Sequence, residues 1–254
     1  MSNMTVTSGI YKTYSHIASG KRINKAADDA AGLSIAQKLL KEQNALNASA
    51  QNTQQGIGFM NVADGALDGI TDSLQRMGEL AIRSMNGLTS DSDRAIYQNE
   101  INQLKDDIQF MAKNTSLNEQ KLLDGSMADL HLATNPDGSG MSIGMANSTL
   151  ESLGIANFDV TSGNVDLDAI SSALDKVSSQ RSYLGASTNS LERAYNYNTW
   201  ASLQQLSSRS RIEDLDMPKA ISEKKKEDLL SEYRNLTLRR QMNQNATMTM
   251  GLFQ

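Results

Sequence analysis

Gln55–Ala81 reads QGIGFMNVADGALDGITDSLQRMGELA, and its spacing decides the fold class. Ile57, Met60, Leu67, Ile70, Leu74, Met77 and Ala81 recur on one side of a helix. The last four of the regular series, Ile70, Leu74, Met77 and Ala81, keep the four-three-four interval of a seam between helices. Gly56, Gly58, Gly65 and Gly69 interrupt the same stretch. Each weakens a helix by about 1 kcal/mol relative to alanine, so close packing against neighbouring helices is expected to hold it. Such a helix would be poor alone.

Working outward toward the N-terminus, Leu33–Ala50 continues the helix with a narrow apolar face of Ile35, Leu39, Leu40 and Leu46. Before it, Ser19–Leu33 reads SGKRINKAADDAAGL, with a basic cluster (Lys21, Arg22, Lys25) and an acidic pair (Asp28, Asp29). This stretch reads as a joint, Gly20 relaxing the backbone and Asp28 or Asp29 capping the helix that follows. Residues 1–18 are polar, and Ile10, Tyr14 and Ile17 make one short helical stripe that frays alone.

Working toward the C-terminus, Asn86–Asp91 (NGLTSD) is a turn, and Ser90 or Ser92 caps a helix running to about Lys113 with Ile101, Leu104, Ile108 and Met111 as its seam. From Leu123 to about Asn164 the character changes. Leu130 and Leu132 alternate, an NPDGSG turn follows, and Met141, Ile143 and Met145 alternate again, which is a hairpin signal. Helical periodicity resumes over Val165–Arg211 with Ile170, Leu174, Val177, Leu184 and Leu191, and this stretch contains Trp200, the single tryptophan. Arg211–Ala220 (RIEDLDMPKA) is a second joint, where Pro218 suits the first turn of a new helix after Asp216. The last segment begins as a charged helix with Leu229, Tyr233 and Leu236 on one face and ends Gly251-Leu252-Phe253-Gln254.

The fold predicted is mainly α, a long antiparallel helical bundle or coiled coil with a small β-hairpin region in mid-sequence. Three divisions follow: 1–32, a terminal helix and joint; 33–211, a helical rod with the hairpin region at about 123–164; and 212–254, a joint and terminal helix. A polypeptide that leaves and returns along one axis sets its ends side by side. Terminal helices with narrow stripes then pair with each other or with other subunits.

Composition supports thin helix seams rather than a thick globular core. Aromatics make up 5% of the 254 residues, with two prolines and thirteen methionines. The absence of cysteine excludes disulfides, thiolate catalysis and cysteine metal sites. No apolar run is long enough to span a membrane, and no secretory h-region is visible, so the protein either stays in the cytoplasm or leaves by a route that needs no cleaved peptide. A net charge of −5 argues against general nucleic-acid binding.

The sequences SGKRINKAADDAAGLSIAQKL, QNTQQGIGFMNVADGALDGITDSLQRMGELAIRSMNG, NEINQLKDDI and KLLDG resemble the N-terminal half of the bacterial flagellins, the subunits of flagellar filaments. LDAISSALDKVSSQRSYLGASTNSLERA and SSRSRIEDLDM resemble their C-terminal half. The resemblance covers roughly Ile17–Met217. It implies a D0 domain of paired terminal helices and a D1 domain of long helices plus hairpins, with no inserted outer domains. It further implies a non-enzymatic structural subunit that polymerises with itself into a helical tube for motility and sits extracellularly in the flagellum. Export would use the flagellar type III apparatus and an export chaperone, and hook-associated and cap proteins would be neighbours. The alternative within the family is a minor or non-bulk paralogue with altered polymerisation. Three departures point that way: a short segment before the first joint, a C-terminal helix charged at Lys224, Lys225, Lys226, Arg239 and Arg240, and Pro218 in the second joint.

The joint residues Arg22, Lys25, Asp28, Asp29, Arg211, Glu213, Asp214 and Asp216 are the candidate subunit-interface set. Arg22 and Lys25 are expected to face Glu213, Asp214 or Asp216. Adjacent Asp28 and Asp29 point in different directions and do not form a catalytic carboxylate pair, so salt bridging to Arg22 or Lys25 or contact with a neighbouring subunit is the better reading. Gln75-Arg76-Met77-Gly78-Glu79-Leu80-Ala81 resembles the flagellin segment that packs between subunits and is recognised by the host Toll-like flagellin receptor. Gln75, Arg76, Glu79 and Leu80 are its candidate residues, while Met77 and Leu80 also fit the seam. Gly78 stands where recognised flagellins often have arginine, which predicts weaker signalling. His16 and His131 read as polar surface residues, and no metal, cofactor or catalytic constellation is found. The lysines at 224–226 read as a solvated helix face, because Glu223, Glu227 and Asp228 supply local partners.

Overall fold

The computed structural model describes residues 2–162 and 165–251, with side chains described for 11–162, 165–246 and 248. Leu252, Phe253 and Gln254 at the end of the sequence, and the side chain of Ile10, lie outside the described residues. The elements are α1 (Ser2–Ser19), α2 (Ala30–Ser84), α3 (Asp91–Asn114), β1 (Ser116–Leu117), β2 (Gln120–Lys121), β3 (Asp129–Leu132), β4 (Met141–Gly144), α4 (Leu150–Leu153), α5 (Leu167–Glu213) and α6 (Met217–Gly251). The protein is mainly α with a hairpin region in mid-sequence, as its periodicity predicts. It divides into two compact units, Asn44–Ser202 and the segments up to Gln43 and from Leu203.

In the 44–202 unit, Met60, Ala63, Leu67, Ile70, Leu74, Met77 and Ala81 of α2 alternate at three and four residues and are each 1% exposed or less. Across from them lie Ile170, Ala173, Val177, Leu184 and Leu191 of α5, with Ile101 and Ile108 of α3 in the same core. Each large apolar residue buried in this way contributes about 1.5–3 kcal/mol. The cross-contacts fix the direction of each pair. Asn47 meets Ser202 at 2.6 Å and Asp64 meets Arg181 at 2.9 Å, so α2 and α5 are antiparallel. Arg76 meets Glu100 at 2.8 Å, and a methyl at Gly69 would press on the Met111 sulfur at 2.8 Å, so α2 and α3 are antiparallel as well. Between them, Ser90 caps α3, its hydroxyl accepting the Asp93 N–H while the Asp93 carboxylate accepts the Ser90 N–H.

The glycines of α2 behave in two ways. A methyl at Gly56 would collide with Leu132 of the hairpin, and one at Gly69 with Met111 of α3, whereas Gly58 and Gly65 face open space. Close packing therefore explains the first pair only, and one of its partners is a strand residue rather than a helix.

The hairpin pairs β3 with β4 in the register Leu130↔Ile143 and Leu132↔Met141, across a turn in which Gly138 has φ 84. Ile143 is fully buried and Leu132 nearly so, while His131 and Ser142 point outward. Two asparagines anchor the strand's exit. Asn52 of α2 donates to the Ala133 carbonyl at 3.2 Å, and Asn198 of α5, itself 1% exposed, donates to the Thr134 carbonyl at 2.8 Å. In the same stretch the seam turns polar: Ser49, Thr53 and Ser202 are all buried, and the Thr53 hydroxyl donates to the Ser49 carbonyl.

A second small ladder, β1 with β2, and the single-turn helix α4 have no counterpart in the sequence reading. The β1–β2 turn uses Asn118 and Glu119 at φ 51 and 66, so it lacks the glycine that normally announces such a turn.

The other unit has a much thinner core. Ile23, Ala36 and Ala220 are its buried apolar residues among those described. Helices α1 and α6 pack together: Thr13 donates to Glu227 at 3.3 Å, and the Lys224 ammonium lies 4.4 Å from the centre of the Tyr14 ring. The terminal helices pair as expected, but through polar and cation–π contacts, with Tyr14 47% exposed.

Candidate functional site

The two joints are one structural object. Helix α1 ends at Gly20, whose φ of 68 turns the backbone out of the helix. The next residues run antiparallel to the end of α5, bridging Lys21 and Asp214. The Arg22 N–H donates to the Glu213 carbonyl at 2.7 Å, and the Leu215 N–H to the Gly20 carbonyl at 3.0 Å. Backbone pairing of this kind sets which side chains meet, and it selects a different basic residue from the one charge counting suggests. Lys21 takes Glu213 at 2.5 Å, with Arg209 on the other carboxylate oxygen at 3.5 Å. Arg22 donates instead to the Ile212 carbonyl at 2.6 Å and stands 3.9 Å from Asp29.

Lys25 does not reach the second joint's acids. It lies in the turn that Asp28 closes, where the Asp28 carboxylate accepts the backbone N–H groups of Asn24 and Lys25, each at 3.1 Å. The same carboxylate binds Lys12 at 2.9 Å and His16 at 3.3 Å from α1. Asp28 therefore pins the last turns of α1, and its pairing is with Lys12 and His16 rather than Arg22 or Lys25. His16 is partnered by an acid and mostly covered, which corrects its reading as a plain surface residue. The Lys12 ammonium, followed by the Asn24 N–H, holds the Asp28 carboxyl well below its ordinary value of 3.8.

Asp29 does other work, accepting the Gly32 N–H at 2.8 Å as the cap of α2. A methyl at Gly32 would collide with that carboxylate and press on Ile23 at 2.8 Å. Asp216 repeats the device at α6, accepting the Lys219 N–H at 3.1 Å, with Pro218 in the first turn. Asp214 accepts from the Ser210 hydroxyl, and Arg211 is exposed. The joint is thus a closed set of backbone and charge-assisted bonds. Its legible part is the charged residues of the two segments; the pairing of Lys21 with Glu213 and the entry of Lys12 and His16 escape a sequence reading because register and tertiary pairing, not local spacing, bring them about.

On α2, Arg76 sits between Glu79 at 2.9 Å and Glu100 at 2.8 Å, Glu100 contributing most to raising its proton affinity. Leu80 is 1% exposed and Met77 fully buried, so Gln75, Arg76 and Glu79 are the surface members of that segment. A methyl at Gly78 would touch only Ile170, at 3.8 Å.

Part of the exposed apolar surface of the terminal unit lies on α6, beside exposed residues such as Tyr11, Ile35 and Leu203 on the other helices. Leu229, Leu230, Tyr233 and Leu236 line an open groove with Lys225 and Lys226 at its edge. Leu229 is 66% and Tyr233 70% exposed. Lys224 differs from its two neighbours, since it is engaged by Tyr14 and by Asp228 at 3.2 Å rather than left to solvent. In the 44–202 unit, Arg181 spans Asp64 and Asp68 beside a groove of about 550 Å³ floored by Met60 and Leu184. Among the described residues no group of three or more His, Cys, Asp or Glu is placed to hold a metal ion, and no helix is long and apolar enough to cross a membrane.

A molecule of paired terminal helices, a helical seam and a small hairpin, with most of its exposed large apolar residues on helices, has the make-up of a self-associating structural protein. The bacterial flagellin N-terminal helical region matches residues 2–128, and the bacterial flagellin C-terminal helical region matches 167–250. The flagellin of Halalkalibacterium halodurans is 35% identical over 227 residues, covering 87% of this protein and 84% of that one. The flagellar filament core protein flaB2 of Brachyspira hyodysenteriae is 32% identical over 259 residues, covering 94% and 90%. Among solved structures, Bacillus cereus flagellin superposes with a TM-score of 0.53 at 25% identity, over 58% of this protein and 88% of that one. The protein belongs to the bacterial flagellin family.

Proposed function

We propose that this protein is a structural subunit of the bacterial flagellar filament, working by polymerisation with copies of itself. The observation that carries the reading, beside family membership, is the exposed apolar face of α6. Leu229, Tyr233 and Leu236 are 66%, 70% and 53% exposed in the free subunit, an area that repeated contacts between subunits would cover. On this reading 1–32 and 212–254 form the D0-like part with its joint, and 33–211 the D1-like part. Arg22, Lys25, Asp28, Asp29, Arg211, Glu213, Asp214 and Asp216 surround the point where one passes to the other. The role is mechanical, with no reaction of its own, no nucleic acid and no membrane insertion. The subunit would leave the cell through the flagellar type III apparatus with an export chaperone, and meet hook-associated and cap proteins at the filament's ends.

Negative-stain microscopy under polymerising conditions tests this: long filaments are expected, with a rise in helicity over the monomer by circular dichroism. Persistent monomers would instead favour a minor, non-bulk subunit, a reading supported by the charged and exposed α6. Gln75, Arg76 and Glu79 are proposed to face the host Toll-like flagellin receptor. A methyl at Gly78 would make only an ordinary contact with Ile170, so Gly78→Arg should be tolerated, and a cell reporter should then give stronger signalling than the native protein. No gain would remove that assignment.

A further inference from the structure

The turn between α2 and α3 holds the one Asn-Gly pair of the sequence, Asn86-Gly87, and both residues are exposed. Asparagine followed by glycine is chemically unstable when the glycine nitrogen is free to attack the asparagine amide, because no side chain on the second residue obstructs ring closure. Two features of this turn favour that attack. The Asn86 amide oxygen accepts the Leu88 N–H at 3.1 Å, which directs the amide along the backbone and polarises its carbon. Among the described residues the Gly87 N–H has no acceptor, and space around the Gly87 Cα is open.

An internal comparison shows what the arrangement adds. Asn147-Ser148 has the same kind of turn, with the Asn147 amide oxygen accepting the Thr149 N–H at 3.0 Å. There the Ser148 N–H is committed to the Leu123 carbonyl at 2.8 Å, and Ser148 is 2% exposed. Asn189-Ser190 lies inside α5, where the helix holds the backbone. Of the three, the 86–87 bond alone combines glycine, an uncommitted N–H and solvent access.

We infer that Asn86 is a self-modification site, converting without an enzyme to aspartate and isoaspartate with water as the co-reactant. The Gly87 nitrogen forms a bond to the Asn86 Cγ, loses its proton, and the bond from Cγ to Nδ2 breaks to release ammonia, leaving a cyclic imide. Water then opens one of the two C–N bonds of the imide. Opening on the Cγ side gives aspartate; opening on the main-chain carbonyl side gives isoaspartate, with one extra backbone carbon. Either product adds a negative charge just past the C-terminal end of α2, where the helix dipole disfavours it, and near Asp91 and Asp93. The isoaspartate also shifts the carbonyl that accepts the Thr89 N–H at 2.9 Å. Modification therefore loosens the α2–α3 turn as the protein ages, independently of how it assembles.

The test is to hold the purified full-length protein at mildly alkaline pH and body temperature and to follow each asparagine by peptide mass spectrometry, labelling isoaspartate with isoaspartyl methyltransferase. Conversion is expected to concentrate at position 86, several-fold faster than at Asn147 or Asn189, with ammonia released in step. Gly87→Ala should slow it several-fold, and circular dichroism should show the fold retained because the added methyl meets nothing. Aged protein should also be cut faster by protease within 85–90. Equal conversion at Asn147, or an unchanged rate at position 86 in Gly87→Ala, would overturn the inference.

Discussion

The two units of this molecule are held in opposite ways. The 44–202 unit closes on a seam of fully covered apolar side chains, Leu67, Ile70, Leu74 and Met77 among them. The terminal unit has three buried apolar residues among those described, Ile23, Ala36 and Ala220, and relies on a joint of backbone bonds and ion pairs while Leu229, Tyr233 and Leu236 stay exposed. The contrast separates what the polypeptide needs to fold from what it keeps available for copies of itself. A core residue is worth several kilocalories to the monomer; an exposed stripe is worth little until something covers it.

The largest expected effect is in the first region. Leu67→Ala should cost about 2–5 kcal/mol in denaturant unfolding. Leu229→Ala on α6 should change monomer stability by no more than about 0.5 kcal/mol, while sharply lowering the yield of sedimentable polymer. Equal monomer destabilisation by the two would erase the contrast. Within the joint, Lys21→Ala should cost about 1 kcal/mol by removing a charge-assisted partner of Glu213, read as faster hydrogen exchange at Arg22 and Leu215. The exchange of Lys21→Glu with Glu213→Lys should restore much of the protection, and the same swap at Arg22 and Asp214 should not. Along α2, Gly58→Ala should raise the melting temperature through a gain of about 1 kcal/mol. Gly56→Ala should lose that gain, because Leu132 must move.

The smallest effect is the acid response of α1. Asp28 has a depressed carboxyl, so its stabilisation is fully present above the ordinary value of 3.8 and fades as pH falls toward the lower folded-state value. Helicity lost on acidification should therefore differ between the native protein and Asp28→Asn above that pH and converge below it. A constant difference at all pH values would show that Asp28 acts through shape rather than charge.

Much of this was legible in the sequence because helical seams write themselves as spacing. The Ile70–Ala81 series, the Ser90 cap, the Pro-Asp-Gly hairpin and Asp216 before Pro218 all have local signals, and all are where local chemistry puts them. The joint was legible only as a collection of charges. Which base meets Glu213 depends on the antiparallel register of two segments far apart in sequence, and no local spacing encodes it. The same holds for His16 and Lys12, one helix turn apart on α1, which meet at Asp28. Asn118 and Glu119 turn a tiny ladder without glycine, and a turn that breaks the usual residue rule leaves no trace to read.

Asn52 and Asn198 have a further consequence. A seam repeating every seven residues looks nearly the same to itself after sliding by one repeat, so apolar burial alone defines the alignment of α2 and α5 only weakly. Consecutive carbonyls at Ala133 and Thr134, gripped from opposite helices, do not survive such a slide: Asn198 would be buried without an acceptor, at the full cost of desolvating an amide. The pair acts as an indexing pin, and a variant with Asn198→Leu should be as tightly packed yet free to settle in more than one alignment.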